Sequence, residues 1–95
     1  MPGYSKRRTD NNHREIIIEL RSHGFSVFDT HNIPKFVDCV VGYNGYNFMF
    51  EIKQDHKKKL TPDEQKLKDT WTGQYDVITS AKEAITIIYN RCPPF

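Results

Sequence analysis

One stretch, VDCVVGYNGYNFMFEIK at residues 37–53, constrains this chain more than any other. Asn44-Gly45 sits between two apolar alternating runs. A two-residue type I′ hairpin turn needs positive φ at both central positions, which Asn and Gly supply at least cost. With those two as the loop, Tyr43 faces Tyr46, Gly42 faces Asn47, Val41 faces Phe48, Val40 faces Met49 and Cys39 faces Phe50. The next rung sets Asp38 against Glu51. Side chains alternate with period two, so Cys39, Val41, Phe48, Phe50 and Ile52 share one apolar face, the expected core. Asp38 and Glu51 share the other face, with Cβ atoms ~4.5–5.5 Å apart, and Lys53 returns to it two residues later. A one-residue bulge in either strand would undo this register.

Opposed like charges destabilise a sheet, so a shared proton, a basic partner or a bound cation must offset them. Two carboxylates on anchored strands suit Mg²⁺ or Mn²⁺, hard ions that prefer oxygen donors. The plainer alternative is a surface ion pair between Asp38 and Lys53, worth ~0–1 kcal/mol. It leaves Glu51 unexplained.

The remaining punctuation predicts an order αβββαβα. Residues 11–23 have Ile16, Ile17 and Leu20 on one helical face, with Thr9 or Asp10 as cap and Gly24 behind. FSVFD (25–29) reads as a strand and HNIPK (31–35) as a loop. Thr61-Pro62-Asp63-Glu64 is a capping box with Pro at the first helical position, and that helix should end near Thr72, before Gly73. YDVIT (75–79) is a fourth strand. Ser80 to Glu83 opens a last helix with a second capping box, and residues 91–95 form a tail. Three strands in a meander, then a helix and a fourth strand, indicate an α/β fold with a mixed sheet flanked by helices, the last strand pairing in parallel.

At 95 residues the chain is expected to be a single domain, small enough that dimerisation is a fair expectation. Cys39 and Cys92 form no CxxC pair, and His13, His23, His31 and His56 show no HxxxH spacing. The sequence therefore predicts neither a disulfide framework nor a zinc site. No apolar run approaches the ~20 residues that span a bilayer, and MPGYSKRRTDNN lacks the apolar core of a signal peptide. A soluble, cytoplasmic protein with no membrane partner is expected. The net charge of +2 conceals two basic patches, Lys6-Arg7-Arg8 and Lys57-Lys58-Lys59, which are either solvated surface or phosphate contacts.

Asp38, followed by Glu51-Ile52-Lys53 at the end of the next strand, resembles the PD-(D/E)xK nuclease signature, whose restriction-endonuclease-like core has the order αβββαβ. More narrowly, Asn12 to Glu15, VDCVVGYNG, FEIK, LTPDEQ (60–65) and WTGQ (71–74) together resemble a stand-alone VRR-NUC (virus-type replication-repair nuclease) domain of phage type. The resemblance implies that Asp38 and Glu51 bind the metal and that the carbonyl of Ile52 completes its shell. Lys53 would activate water or stabilise charge on the phosphate. Glu15 would add a ligand directly or through water, and Gln65 would point into the site. Val37 stands where the family has proline, with Pro34 displaced upstream. The resemblance further implies an Mg²⁺-dependent endonuclease, with Mn²⁺ able to substitute. It would act as a homodimer on branched DNA such as four-way (Holliday) junctions, its basic patches holding the backbone. A less selective flap or nick nuclease and a non-catalytic DNA-binding module are the alternatives.

Overall fold

In the computed structural model the described residues are 11–94. The expected caps Thr9 and Asp10 and the basic patch Lys6 to Arg8 lie outside them. Helix α1 (His13–Ser22) is followed by strands β1 (Ser26–Asp29), β2 (Cys39–Tyr43) and β3 (Tyr46–Ile52). Helix α2 (Pro62–Thr70), strand β4 (Asp76–Ile78) and helix α3 (Ala81–Arg91) complete the order. The strands form one sheet in the order β1-β2-β3-β4. β1, β2 and β3 pair antiparallel, and β4 adds to β3 in parallel. This is a small α/β fold with a mixed four-stranded sheet.

The β2–β3 hairpin takes the register that its turn dictates, from Tyr43↔Tyr46 through Cys39↔Phe50. Asn44 and Gly45 both have positive φ, 52° and 84°, as a type I′ turn requires. Cys39, Val41, Phe48, Phe50 and Ile52 are all buried. They pack with Ile16, Ile17 and Leu20 of α1 and with Ala81, Ala84 and Ile88 of α3 into one core. Each fully buried side chain of this size contributes ~1.5–3 kcal/mol, so this face anchors the hairpin. Both cysteines are buried and free. Burial, with the nearby carboxylates of Asp38, Asp29 and Glu51, pushes the Cys39 thiol up to about 12, so it packs as an inert hydrophobe.

Helix boundaries follow local chemistry, with three differences from the sequence expectation. α1 ends in a Schellman motif: Phe25 N–H donates to Leu20 O and Gly24 N–H to Arg21 O. Gly24 takes the left-handed conformation, φ +90°, and Phe25 is delivered into the core. Its start, however, is Asn12, whose side chain makes no cap bond. Asn12 Nδ2 instead donates to Lys53 O at 3.1 Å and Thr79 O at 2.8 Å, tying α1 to the ends of β3 and β4. α2 has the expected reciprocal capping box but stops at Thr70, with Trp71 extended behind it; Gly73 adopts no positive φ. In α3, Ser80 accepts from Glu83 N–H as expected, while the Glu83 carboxylate bonds to Thr79 N–H and Oγ1. That box is therefore only half reciprocal.

Gln74 precedes β4 and binds Met49 as a strand peptide would. Its Oε1 accepts from Met49 N–H and its Nε2 donates to Met49 O. Among the described residues, no helix is long and apolar enough to cross a membrane.

Candidate active site

Glu51 alternates with Phe50 and Ile52 along β3, so it points away from the core, yet it is 1% exposed. Its cover comes from the loop before β2 and from α2. Thr30 closes that loop, donating its N–H to Asp38 O at 2.9 Å and its Oγ1 to Val37 O at 2.7 Å. Within the loop Lys35 is left-handed, φ 60°, a conformation that costs a non-glycine residue about 1–2 kcal/mol. Val37, which stands where the resembled family has proline, is fully buried.

Asp38 departs from the expected ladder rung. Its N–H donates to Phe50 O at 3.1 Å on the β3 side, while its C=O accepts from Thr30 on the β1 side. A regular strand residue turns both groups to the same neighbour, so the backbone bends here and β2 starts at Cys39. The Asp38 carboxylate fills the gap, its Oδ2 accepting from Ile52 N–H at 2.8 Å. The carboxyl group of Glu51 lies within hydrogen-bonding reach of both Asp38 and Glu64.

The third acid, Glu64, sits in the first turn of α2. Its Oε1 accepts from Thr61 N–H at 2.8 Å and pairs with Lys53 Nζ at 2.7 Å, both side chains being largely buried at 12% and 11% exposed. Lys53 thus pairs with Glu64, where an Asp38–Lys53 pair was the sequence alternative.

The electrostatics follow from this packing. Burial, then the adjacent carboxylates of Asp38 and Glu64, push Glu51 up to about 10, so at neutral pH it holds its proton unless a positive charge enters. Burial would also lift Glu64, but hydrogen bonds from Glu51, Lys53 and Thr61 outweigh it and hold that carboxyl below the usual range. Tyr75 is raised by burial and by the charges of Glu51, Glu64 and Asp38. Glu51 Oε1 and the Tyr75 hydroxyl are buried without a hydrogen-bond partner.

The other expected residues are placed differently. Glu15 is exposed on α1, one turn beyond Asn12. Gln65 is exposed, donating to Asp69 Oδ1 at 2.8 Å. It lines a cleft of about 410 Å³ with His56, Lys58, Lys59, Leu60, Lys68 and Val77. Val77 is the ladder partner of Glu51, so this basic cleft lies beside the acids. Ile52 enters the site through the N–H it gives to Asp38. Lys57 is exposed next to Lys58.

Glu64 and Tyr75 are the residues that the sequence did not mark. A capping-box glutamate explains itself without a site, which hides its second contact. The available signal was that a cap at Thr61 fixes the Glu64 carboxylate at the start of α2, where the chain returns from β3. Compared with known proteins, the chain matches no protein-family model, no curated protein and no solved structure.

Proposed function

We propose that this chain is a metal-dependent endonuclease of the PD-(D/E)xK type, similar to VRR-NUC domains. Its substrate is branched DNA, four-way junctions foremost, and it acts as a homodimer with Mg²⁺ or Mn²⁺. The observation that carries this reading is Glu51: a carboxyl group 1% exposed, against two further carboxylates, with one oxygen lacking a partner. Burying an acid among acids is costly unless a cation compensates it. An all-oxygen donor set of Asp38, Glu51 and the carbonyl of Ile52 fits a hard divalent ion. Glu64 lies within hydrogen-bonding reach of Glu51 and is paired with Lys53.

Such an ion, when bound, supplies Lewis acidity to the scissile phosphate. The chain's own groups do the remaining work. Ile52 N–H fixes the orientation of the Asp38 carboxylate. Glu51 must release its proton to become a ligand. Glu64 holds the Lys53 ammonium at the end of β3, where it can neutralise charge developing on a phosphate oxygen. Lys58, Lys59 and Lys68 line the cleft that can hold backbone phosphates without reading sequence. Two sites related by a two-fold axis suit the symmetry of a four-way junction.

The test is cleavage of labelled four-way junction, flap and linear duplex with Mg²⁺, Mn²⁺ or EDTA. Junction cutting that needs metal and is lost in Asp38→Asn and Glu51→Gln is expected. Equal cutting of all three substrates would overturn the junction preference. Binding without cutting under either metal would overturn the nuclease reading in favour of a DNA-binding module.

A further inference from the structure

A second cluster of donors lies apart from the three acids. His13 opens α1, Asp29 ends β1 and His31 follows it in the loop. No spacing in the sequence pairs the two histidines; the fold does. His13 Nε2 lies 3.1 Å from Asp29 Oδ1 and His31 Nδ1 lies 2.8 Å from the same oxygen. The three donor atoms are all within 4.8 Å of one another, and they are the one such set of three His, Cys, Asp or Glu residues among the described residues. His31 N–H also reaches Asp29 Oδ1, at 3.3 Å. The rings meet edge to face, 4.9 Å between centroids.

We propose that His13, Asp29 and His31 form a binding site for a transition-metal cation of the Zn²⁺ class. Tetrahedral zinc has bonds of about 2.0–2.1 Å, which sets its ligand atoms ~3.3 Å apart. The two nitrogen–oxygen separations are already near that value, so small side-chain shifts complete three corners. Imidazole nitrogens favour zinc-like ions over Mg²⁺, which separates this site chemically from the all-oxygen one.

The surroundings supply both rigidity and access. His13 is buried at 5% exposed, fixed by the helix start. Asp29 is held by its rung with Cys39. A cleft of about 500 Å³, lined by Asn11, Arg14, Ile17, Ile18 and Arg21 as well as by the three donors, opens onto them. It provides the entry path and room for a water at the fourth corner. Arg21 turns toward the backbone, donating to Val27 O at 2.9 Å.

On binding, each imidazole keeps one proton. The nitrogen that faces Asp29 gives up its hydrogen and the opposite ring nitrogen carries it, so the rings stay neutral and the ion supplies the charge. The ion would tie α1, β1 and the loop before Asp38 together, because Asp29 is the rung partner of Cys39 and Thr30 bonds Asp38.

The experiment is equilibrium dialysis of the full chain against Zn²⁺ with excess Mg²⁺, with bound zinc measured by atomic emission and folding checked by circular dichroism. One zinc per chain is expected. Losing a group that merely orients a ligand costs about 10–100-fold in metal affinity, so removing a ligand should exceed that. His31→Gln, in a partly exposed loop, and Asp29→Asn should both show it. His56→Gln and Asp38→Asn should bind as the parent does. No zinc on the parent chain, or undiminished zinc on folded His31→Gln, would overturn the proposal. Equal loss in Asp38→Asn would assign the ion to the acids instead.

Discussion

Glu51 holds its proton far above the pH at which an ordinary glutamate loses it, and the fold loses stability as pH rises because of it. In the unfolded chain the carboxyl titrates near its ordinary 4.5, while in the fold it is pushed up to about 10. Between those values the folded protein binds a proton that the unfolded chain has released. Stability therefore falls as pH rises through that window, and the contribution is fully favourable only below the lower value. Glu51→Gln removes the titration while keeping the shape. The melting temperature of the parent should decline relative to that of Glu51→Gln from about pH 5 to about pH 9 in EDTA. Asp29 and Glu83, both held below their ordinary values by histidine and other hydrogen bonds that outweigh burial, lose stabilising charge at acid pH in both proteins. So does Glu64, which is held low in part by Glu51 itself, so it is the window above about pH 5 that reads Glu51. Saturating Mg²⁺ should flatten the parent's slope, since an ion bound only to the folded state opposes protonation and stabilises by mass action. Parallel melting profiles for the two proteins would refute the buried-acid account.

At the scale of elements, what could be read in advance divides by how local its cause is. The hairpin register was legible because Asn44-Gly45 fixes it within a few residues, and the core face then follows from alternation. The bend at Asp38 was not legible, since it depends on Thr30, a neighbour only through the β1–β2 pairing. The phase of α2 was not legible for a related reason: no residue of α2 is buried, so no apolar stripe tells which side meets the sheet. Gln65, expected to point into the site, lines the cleft beside the acids, while Glu64 reaches Glu51. Asn12 shows the same limit. A helix-capping residue type in the right place spends its amide on Lys53 O and Thr79 O instead. This joint invites a paired prediction. Asn12→Ala leaves two carbonyls short of a donor, at ~1–3 kcal/mol in total once the relief of its own unpartnered Oδ1 is included. Asn12→Asp keeps the size but faces those carbonyls with acceptors alone, so it should cost more. Urea unfolding at pH 7 should rank the midpoints parent, Asn12→Ala, Asn12→Asp. An Asn12→Asp protein as stable as the parent would show that the amide does not join these elements.

Over the whole molecule, a net charge of +2 says little, because the charges are sorted. Asp38 and Glu64 converge on Glu51, and beside these acids the 410 Å³ cleft collects Lys58, Lys59 and Lys68. If duplex arms of a junction run along that cleft, each lysine that meets a phosphate displaces a condensed counterion. The slope of log binding constant against log salt then loses about 0.9 for each such lysine removed. Lys58→Ala, Lys59→Ala and Lys68→Ala in one chain should therefore lower the slope by nearly three such increments for each protomer that grips the junction, nearly six for a homodimer. Lys57→Ala, a change at an exposed neighbour of the cleft, should alter it less. The comparison is made by titrating a labelled four-way junction in EDTA across a series of KCl concentrations, so that binding is read without cleavage. Cleavage at saturating junction with Mg²⁺ should change little in the triple variant, because on the proposed path these lysines hold the backbone rather than the reacting phosphate. A salt slope that is unchanged, or that falls equally with Lys57→Ala, would move the DNA path off this cleft and leave the acids with a different approach.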